Sequence, residues 1–150
     1  MAHTFANLLT HAVFSTKGRE PRIVPEVRSD LHAYMGGIAR ELGAQALAIG
    51  GTRDHVHMLL QLPADLTIAE CLRIVKANSS RWLHEKWPQR GGFGWQRGYG
   101  AFTVSASNAP AVVKYVARQE EHHRKMSFQD EFVLLLKKHG VAFDPRYIWT

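Results

Sequence analysis

The segment Asp54-His-Val-His-Met-Leu-Leu-Gln-Leu62 admits a single extended register. Side chains alternate between faces along a strand, so Val56, Met58, Leu60 and Leu62 form an unbroken apolar row while His55 and His57 project together from the other face. A slip of one residue would turn that row toward water, which fixes the pairing of any neighbouring strand. Same-face residues lie about 6.6 Å apart at a rise of roughly 3.3 Å per residue, close enough for two imidazoles to converge on one metal ion. Two histidines on a half-exposed strand are also often plain surface residues, and the spacing alone leaves both open.

Around this strand the periodicities predict a regular order. Residues 3–16 form a two-sided strand, with Ala6, Leu8, Ala12 and Phe14 alternating with Asn7, Leu9, His11 and Val13. A helical period follows at Val27, Leu31, Met35, Ile38 and Leu42. Residues 44–50 pair with 54–62 as a hairpin around Gly50-Gly51-Thr52. Thr67 and Glu70 make a capping box before the amphipathic run Ile68, Cys71, Leu72, Val75, Ser79, Trp82 and Leu83. After the loop Gly91-Gly92-Phe93-Gly94, residues 95–97 and then 99–105 read as extended pieces, separated by a bend or bulge at Gly98 and Gly100. Asn108 and Pro110 start a third helix through about His123, Ser127 and Asp130 start a fourth ending at Gly140, and 141–150 is irregular. The order β-α-β-β-α-β plus two helices predicts an α+β fold. It is ferredoxin-like (split βαβ), with an antiparallel four- to five-stranded sheet and two C-terminal helices.

Composition bounds the function. The 150 residues, 45% hydrophobic and 21% charged, suit one domain over 1–150, with 127–150 as a C-terminal extension, and are too few for an α/β barrel. Nineteen Lys and Arg against thirteen Asp and Glu leave a formal charge of +6, which favours a polyanionic partner. The lone Cys71 forms no internal disulfide, and its apolar setting suggests a buried thiol in a reducing compartment, by default the cytoplasm. The N-terminal residues lack a signal-peptide pattern and no apolar run is long enough to span a membrane.

Tyr115 and Gln119 are four residues apart, which puts phenol and amide on one helix face, with His122 and His123 on the next turn. A tyrosine among Val112, Val113 and Val116 equally suits half-buried packing. Other His-x-His chemistries lack their parts. There is no second His-x-Ser/Thr for a two-histidine phosphoesterase, no His-Glu-x-x-His helix, and no Gly-x-Ser-x-Gly elbow.

Five stretches, in this order, carry a resemblance: His11–Lys17, Gly51–Leu60, Lys76–Trp82, Trp95–Phe102 and Tyr115–His123. The chain resembles the single-tyrosine HUH transposases, the TnpA-like enzymes of the insertion sequence 200/605 type, nearly from end to end. The resemblance implies that His55, His57 and Gln119 hold a divalent metal, Mg²⁺ or Mn²⁺, and that Tyr115 is the nucleophile. It implies nicking and rejoining of single-stranded DNA at hairpin-marked ends through a 5′-phosphotyrosine, with no nucleotide cofactor. It also implies a homodimer in which the tyrosine helix of one subunit commonly completes the histidine site of the other. Three neutral ligands would leave the metal its full charge for the scissile phosphate. Candidate DNA contacts are Lys17, Arg19 and Arg22 in one loop, Arg73 and Lys76 on the second helix, and Arg97 between Trp95 and Tyr99. Two other classes are a ferredoxin-like nucleic-acid-binding module without catalysis and a metal-dependent hydrolase of a small phosphoester. The first lacks RNP-type aromatic sequences.

Overall fold

Strand β3 (His55–Leu62) pairs along its whole length with β1 (Leu8–Ser15), and the two form the centre of the sheet. β2 (Gln45–Gly51) flanks β3 and β4 (Gly100–Thr103) flanks β1, giving the order β2-β3-β1-β4 with every neighbour antiparallel. The computed structural model describes residues 3–90 and 92–149. Met1, Ala2, Gly91 of the glycine loop and Thr150 of the tail lie outside the described residues. With α1 (Pro25–Glu41) after β1 and α2 (Ile68–Lys86) after β3, this is the ferredoxin-like arrangement. Three further helices follow: α3 (Ala109–Ala117), α4 (Gln119–His122) and α5 (Phe128–Lys138).

Each sheet face has its own cover. Ala12, Phe14, Val56, Met58 and Leu60 pack under Leu31 and Met35 of α1 and Leu72 and Val75 of α2, all fully buried, as is Cys71. The opposite face carries His11, Val13 and His57, and around Val13 it gathers a smaller core from Phe102, Phe128, Phe132, Leu135 and Leu136. The tail after α5 has no regular structure, yet Phe143, Ile148 and Trp149 pack on this second core. Two of the three helix starts read from the sequence carry a side-chain cap, whereas Asn108 before α3 makes none and the Glu70 carboxylate of the expected capping box pairs with Arg73. Thr67 Oγ1 accepts from Glu70 N at 3.1 Å and Ser127 Oγ accepts from Asp130 N at 3.1 Å, each stabilising its helix by about 1 kcal/mol.

Several boundaries differ from expectation. β1 begins at Leu8 and not at residue 3, because only from there is β3 opposite. The extended piece around Trp95 contributes one bridge, Thr16 to Trp95, and the next is shortened to four residues, so the sheet has four strands. The third helix breaks at Arg118 (φ −103°, ψ 24°) and does not run on to His123. Arg118 N donates to the carbonyls of Lys114 and Tyr115 (3.1 and 3.3 Å). Gln119 Nε2 donates to the Tyr115 carbonyl at 3.2 Å, so a side chain serves where the helix's own N–H would have.

The cross-strand row Gly50, His57, Val13, Gly100 explains how helices reach the histidine face. A Cβ on Gly50 would lie 2.1 Å from the Val116 carbonyl oxygen of α3, and one on Gly100 would lie 2.6 Å from a ring carbon of Phe132 on α5. Both glycines are vacant places into which helices seat. Gly50→Ala is therefore expected to destabilise the fold by about 1–3 kcal/mol through overpacking and to displace Tyr115. Gly98→Ala, which meets nothing within 4 Å, is the control. Denaturant unfolding of both variants checks this, and equal midpoints would refute it.

Candidate active site

His55 and His57 are fully buried, not half exposed as the strand reading allowed. The helix break turns Gln119, itself buried, toward them: its Oε1 lies 3.0 Å from His55 Nε2 and 2.9 Å from His123 Nε2. α5 adds Glu131, whose Oε1 lies 3.0 Å from His57 Nε2, 3.0 Å from His123 Nε2 and 3.6 Å from His55 Nε2. The other oxygen, Oε2, accepts a short hydrogen bond from the Tyr115 hydroxyl. The Tyr115 ring stands 5.6 Å from the His57 ring, so one chain assembles phenol, amide and both strand histidines. His55, His57, Tyr115 and Gln119 thus come together within one chain, without the exchange between subunits that the resemblance implies. His123 and Glu131 are additional.

The outer nitrogens decide which lone pairs face inward. His55 Nδ1 donates to Asp54 Oδ1 at 2.7 Å, and Thr52 Oγ1 donates to the same oxygen at 3.0 Å. His123 Nδ1 donates to the Met126 carbonyl at 2.6 Å. His57 Nδ1 lies 2.8 Å from His11 Nε2. With Nδ1 protonated, a neutral imidazole presents a bare lone pair at Nε2. His55 and His123 so oriented, and His57 when its Nδ1 donates to His11, turn Nε2 lone pairs toward the amide oxygen of Gln119 and the carboxylate of Glu131, acceptor against acceptor, in a largely buried place. Such a centre is satisfied only by cations, either protons or a metal ion.

The donor set fits a divalent ion. Ligand atoms bound at about 2.1 Å around one centre lie roughly 3.0–3.4 Å from one another, close to the 2.9–3.6 Å contacts here. One atom each from His55, His57, His123 and Glu131 lies within 4.8 Å of all the others. Asp54 and His11 orient two of the imidazoles from behind, as outer partners of metal-bound histidines do.

Titration follows the same geometry. Burial holds His57 below its ordinary range against the opposing pull of Glu131. Burial, aided by His57, lowers His11 to about 3. Glu131 is held far below the usual carboxylate range, because hydrogen bonds from His123 and His57 outweigh its burial. His123 is raised, since the Glu131 and Met126 bonds exceed its burial. Tyr115 is raised by burial and then by the Glu131 carboxylate.

Sequence reasoning missed His123, Glu131, Asp54 and His11 as members of the site. Asp54, His11 and His123 lie inside the stretches that carry the resemblance. His123 needed the helix break, and Glu131 needed the packing of α5. The expected DNA contacts stand elsewhere. Arg73, Lys76, Arg97, Trp95 and Tyr99 line a cavity of about 370 Å³ beside α2, which covers the other sheet face. There Lys76 Nζ donates to the carbonyls of Arg97 and Gly98 (3.2 and 2.9 Å), and burial lowers it to about 8. Arg73 pairs with Glu70 at 2.6 Å and Arg22 with Glu20 at 2.6 Å, while Arg19 lies over the Trp149 ring at 4.9 Å. Lys17 N donates to the Gly94 carbonyl at 2.8 Å. Arg28, Arg53 and Arg124, not singled out from the sequence, line a cavity of about 400 Å³ with Asp54 and His123.

The family description "Transposase IS200 like" matches residues 4–119. The chain belongs to the IS200-like transposase family. The IS200 transposase of Salmonella typhimurium strain LT2 is 28% identical over 129 residues, covering 83% of this chain and 84% of that protein. The ISDra2 transposase TnpA of Deinococcus radiodurans is 28% identical over 116 residues, covering 74% and 83%. A crystallised candidate transposase from Deinococcus radiodurans R1 superposes with a TM-score of 0.64 at 26% identity, over 77% of this chain and 93% of the other. A REP-associated tyrosine transposase bound to a REP hairpin shares the fold, with a TM-score of 0.57 at 13% identity, over 77% and 68%. In this IS200-like transposase, Gln119 is the last residue of the family match, so His123 and Glu131 reach the cluster from beyond it. Among the described residues, no helix is long and apolar enough to cross a membrane.

The metal-free transposase is expected to lose stability as pH falls from about 6.5. His11 binds its proton near 6.5 when unfolded but only near 3 when folded. Between those values the unfolded chain takes up more protons, so stability rises with pH there. Thermal melts in the presence of chelator should show this slope, and His11→Gln should flatten it. An unchanged slope in that variant would assign it to other groups.

Proposed function

We propose that this transposase cuts and rejoins single-stranded DNA by transesterification through Tyr115, at a divalent metal held by His55, His57 and Gln119 together with His123 and Glu131. The observation that carries the reading is the convergence of those five inward lone pairs directly beside the Tyr115 hydroxyl. The bound ion would supply positive charge to the phosphate as its oxygens gain charge in the transition state. Mg²⁺ and Mn²⁺ suit an open site shared with phosphate oxygens, and three imidazoles beside one carboxylate tilt the choice toward Mn²⁺. The Glu131 carboxylate cancels one unit of the ion's charge, unlike the wholly neutral set the sequence implied.

Tyr115 cannot attack as a free phenolate near neutral pH, because burial and the adjacent carboxylate raise its pKa. Its proton already points at Glu131 Oε2, which takes it as Tyr115 Oη bonds to phosphorus. The bond from phosphorus to the 3′ oxygen breaks as that oxygen takes up the proton Glu131 received from Tyr115, leaving a 5′-phosphotyrosine, a 3′-hydroxyl and an ionised Glu131. A second 3′-hydroxyl reverses the step, so the bond energy is conserved and no nucleotide cofactor is needed. Hairpin-bearing single strands are the substrate class, a reading supported by the hairpin bound to the fold relative. Lys17, Arg19, Arg22, Arg73, Lys76 and Arg97 would contact the backbone, joined by Arg28, Arg53 and Arg124 beside the site. A reducing cytoplasm suits the buried free thiol of Cys71.

Incubation with hairpin-bearing single strands and Mn²⁺ should give a denaturation-resistant protein–DNA adduct, abolished by chelator and by Tyr115→Phe, with DNA binding kept. Full nicking by Tyr115→Phe would overturn the mechanism. Glu131→Gln should slow adduct formation by about 10²-fold or more, the usual scale of a lost general base.

Because one chain closes the ligand set, a homodimer would carry two separate sites, each with its own tyrosine. Mixing Tyr115→Phe with His57→Ala should then leave activity absent. Recovery of roughly a quarter or more of wild-type activity, as mixed dimers form, would show exchange of the tyrosine helix between subunits.

A further inference from the structure

A cavity of about 450 Å³ opens beside Tyr115, between α3, α5 and the end of β4. Its volume lies in the range of small-ligand pockets. The cavity wall is apolar and comes from Val104, Ala111, Val112, Leu134 and Leu135. Leu134 is 51% exposed although it sits mid-helix in α5, so it forms a lip and not a core contact. The cavity is bordered by the rings of Tyr115, His11 and His139. His11 stands edge-on to Tyr115 at 6.0 Å, and His139 stacks on Phe102 at 4.3 Å.

Polar groups are placed around this wall unevenly. At the inner end, Glu131 is taken up by Tyr115 and the imidazoles. His122 Nε2, also on the lining, makes no hydrogen bond and lies 3.4 Å from Glu131 Oε2. At the mouth stand the exposed Lys138 and the amide of Asn108. An apolar slot with ring edges, a cation at one side and the His122 imidazole next to the nucleophile is complementary to a nucleotide: a flat base and an anionic phosphate.

We propose that this cavity receives one nucleotide flanking the scissile phosphate. Its base lies against the Val104, Val112 and Leu134 wall, with its phosphate between Lys138 and His122. The occupant follows from position, since the cavity opens onto the Tyr115 hydroxyl where the proposed chemistry must bring a phosphodiester, and on that point it rests on the transesterification reading. Leu134, Leu135 and Lys138 lie on α5, beyond the residues matched to the family. One side of this pocket is therefore built by a segment beyond the family match, facing Val104, Ala111 and Val112 from within it. It gives the enzyme a base contact at the cut itself, separate from any hairpin recognition.

The full chain, isotope-labelled and loaded with Mg²⁺, is titrated with thymidine 5′-monophosphate, and in parallel with inorganic phosphate and deoxyribose 5-phosphate. The nucleotide should shift the amides of Val104, Leu134, Leu135 and Lys138 saturably at millimolar concentration, with Val104 and Leu134 unmoved by the two baseless probes. Leu134→Glu and Lys138→Ala, both surface changes, should weaken the nucleotide about five-fold or more, and Lys114→Ala on the exposed side of α3 should not. Shifts that map elsewhere, match those of inorganic phosphate, or never saturate would overturn the pocket. Adduct formation on hairpin-bearing strands separates the two readings. Nucleotide shifts without any Tyr115 adduct would keep the pocket and remove the transesterification. An adduct forming equally well when either base flanking the cut is removed, with no nucleotide shifts, would do the reverse.

Discussion

Two positions without side chains, Gly50 and Gly100, bracket His57 and Val13 across the sheet and let α3 and α5 descend onto one face. The chemistry of this protein depends on that steric allowance. A methyl group at Gly50 would occupy the place of the Val116 carbonyl, one residue from Tyr115. One at Gly100 would push on Phe132, one residue from Glu131. Phenol and carboxylate thus take their positions from the Val116 carbonyl and the Phe132 ring, seated by their immediate neighbours against the two glycines. The seat is rigid because packed interiors yield little to an added methyl group.

Close descent has an electrostatic consequence. It buries three imidazoles, an amide and a carboxylate with their acceptors facing one another, an arrangement that costs stability unless a cation joins it. The other sheet face supplies the compensation. Phe14, Met58, Leu60 and their partners in α1 and α2 form a larger apolar core. The sheet therefore divides the work, one face for stability and one for the site, as the alternation in β3 already requires. Asp54 and His11 extend this polar face by fixing ring orientation from behind. Burial lowers His11, whereas the His55 and Thr52 hydrogen bonds lower Asp54 against its partial burial.

What the sequence shows clearly is what short-range periodicity encodes. The β3 register, the two-sided β1, the Thr67 and Ser127 caps and the strand–helix order all appear as read, because each is fixed by residues within a few positions of one another. His55 and His57 on one face, and Tyr115 with Gln119 on another element, follow from the same periods. Boundaries were less legible where pairing partners decide them: β1 starts only where β3 lies opposite, and the Trp95 segment makes a single bridge. The break at Arg118 carries no proline or glycine. It is stabilised by the Gln119 side chain and by its reach to His55, neither of which local propensity can register.

Glu131 shows the limit most clearly. In the sequence it is one acidic residue in the first turn of an amphipathic helix, where a carboxylate is expected for the helix dipole alone. Its residue type does not distinguish it from Asp130 beside it, which remains exposed. The difference arises from rotation about the helix axis. Phe128, Phe132 and Leu135 must face Val13 and Phe102, and residue 131 shares their side of the helix. The apolar face that anchors α5 thereby aims one carboxylate at the histidines. A segment beyond the family match thus becomes part of the site through hydrophobic packing, and the phenol, the ligands and the wall beside them come to reside in one chain.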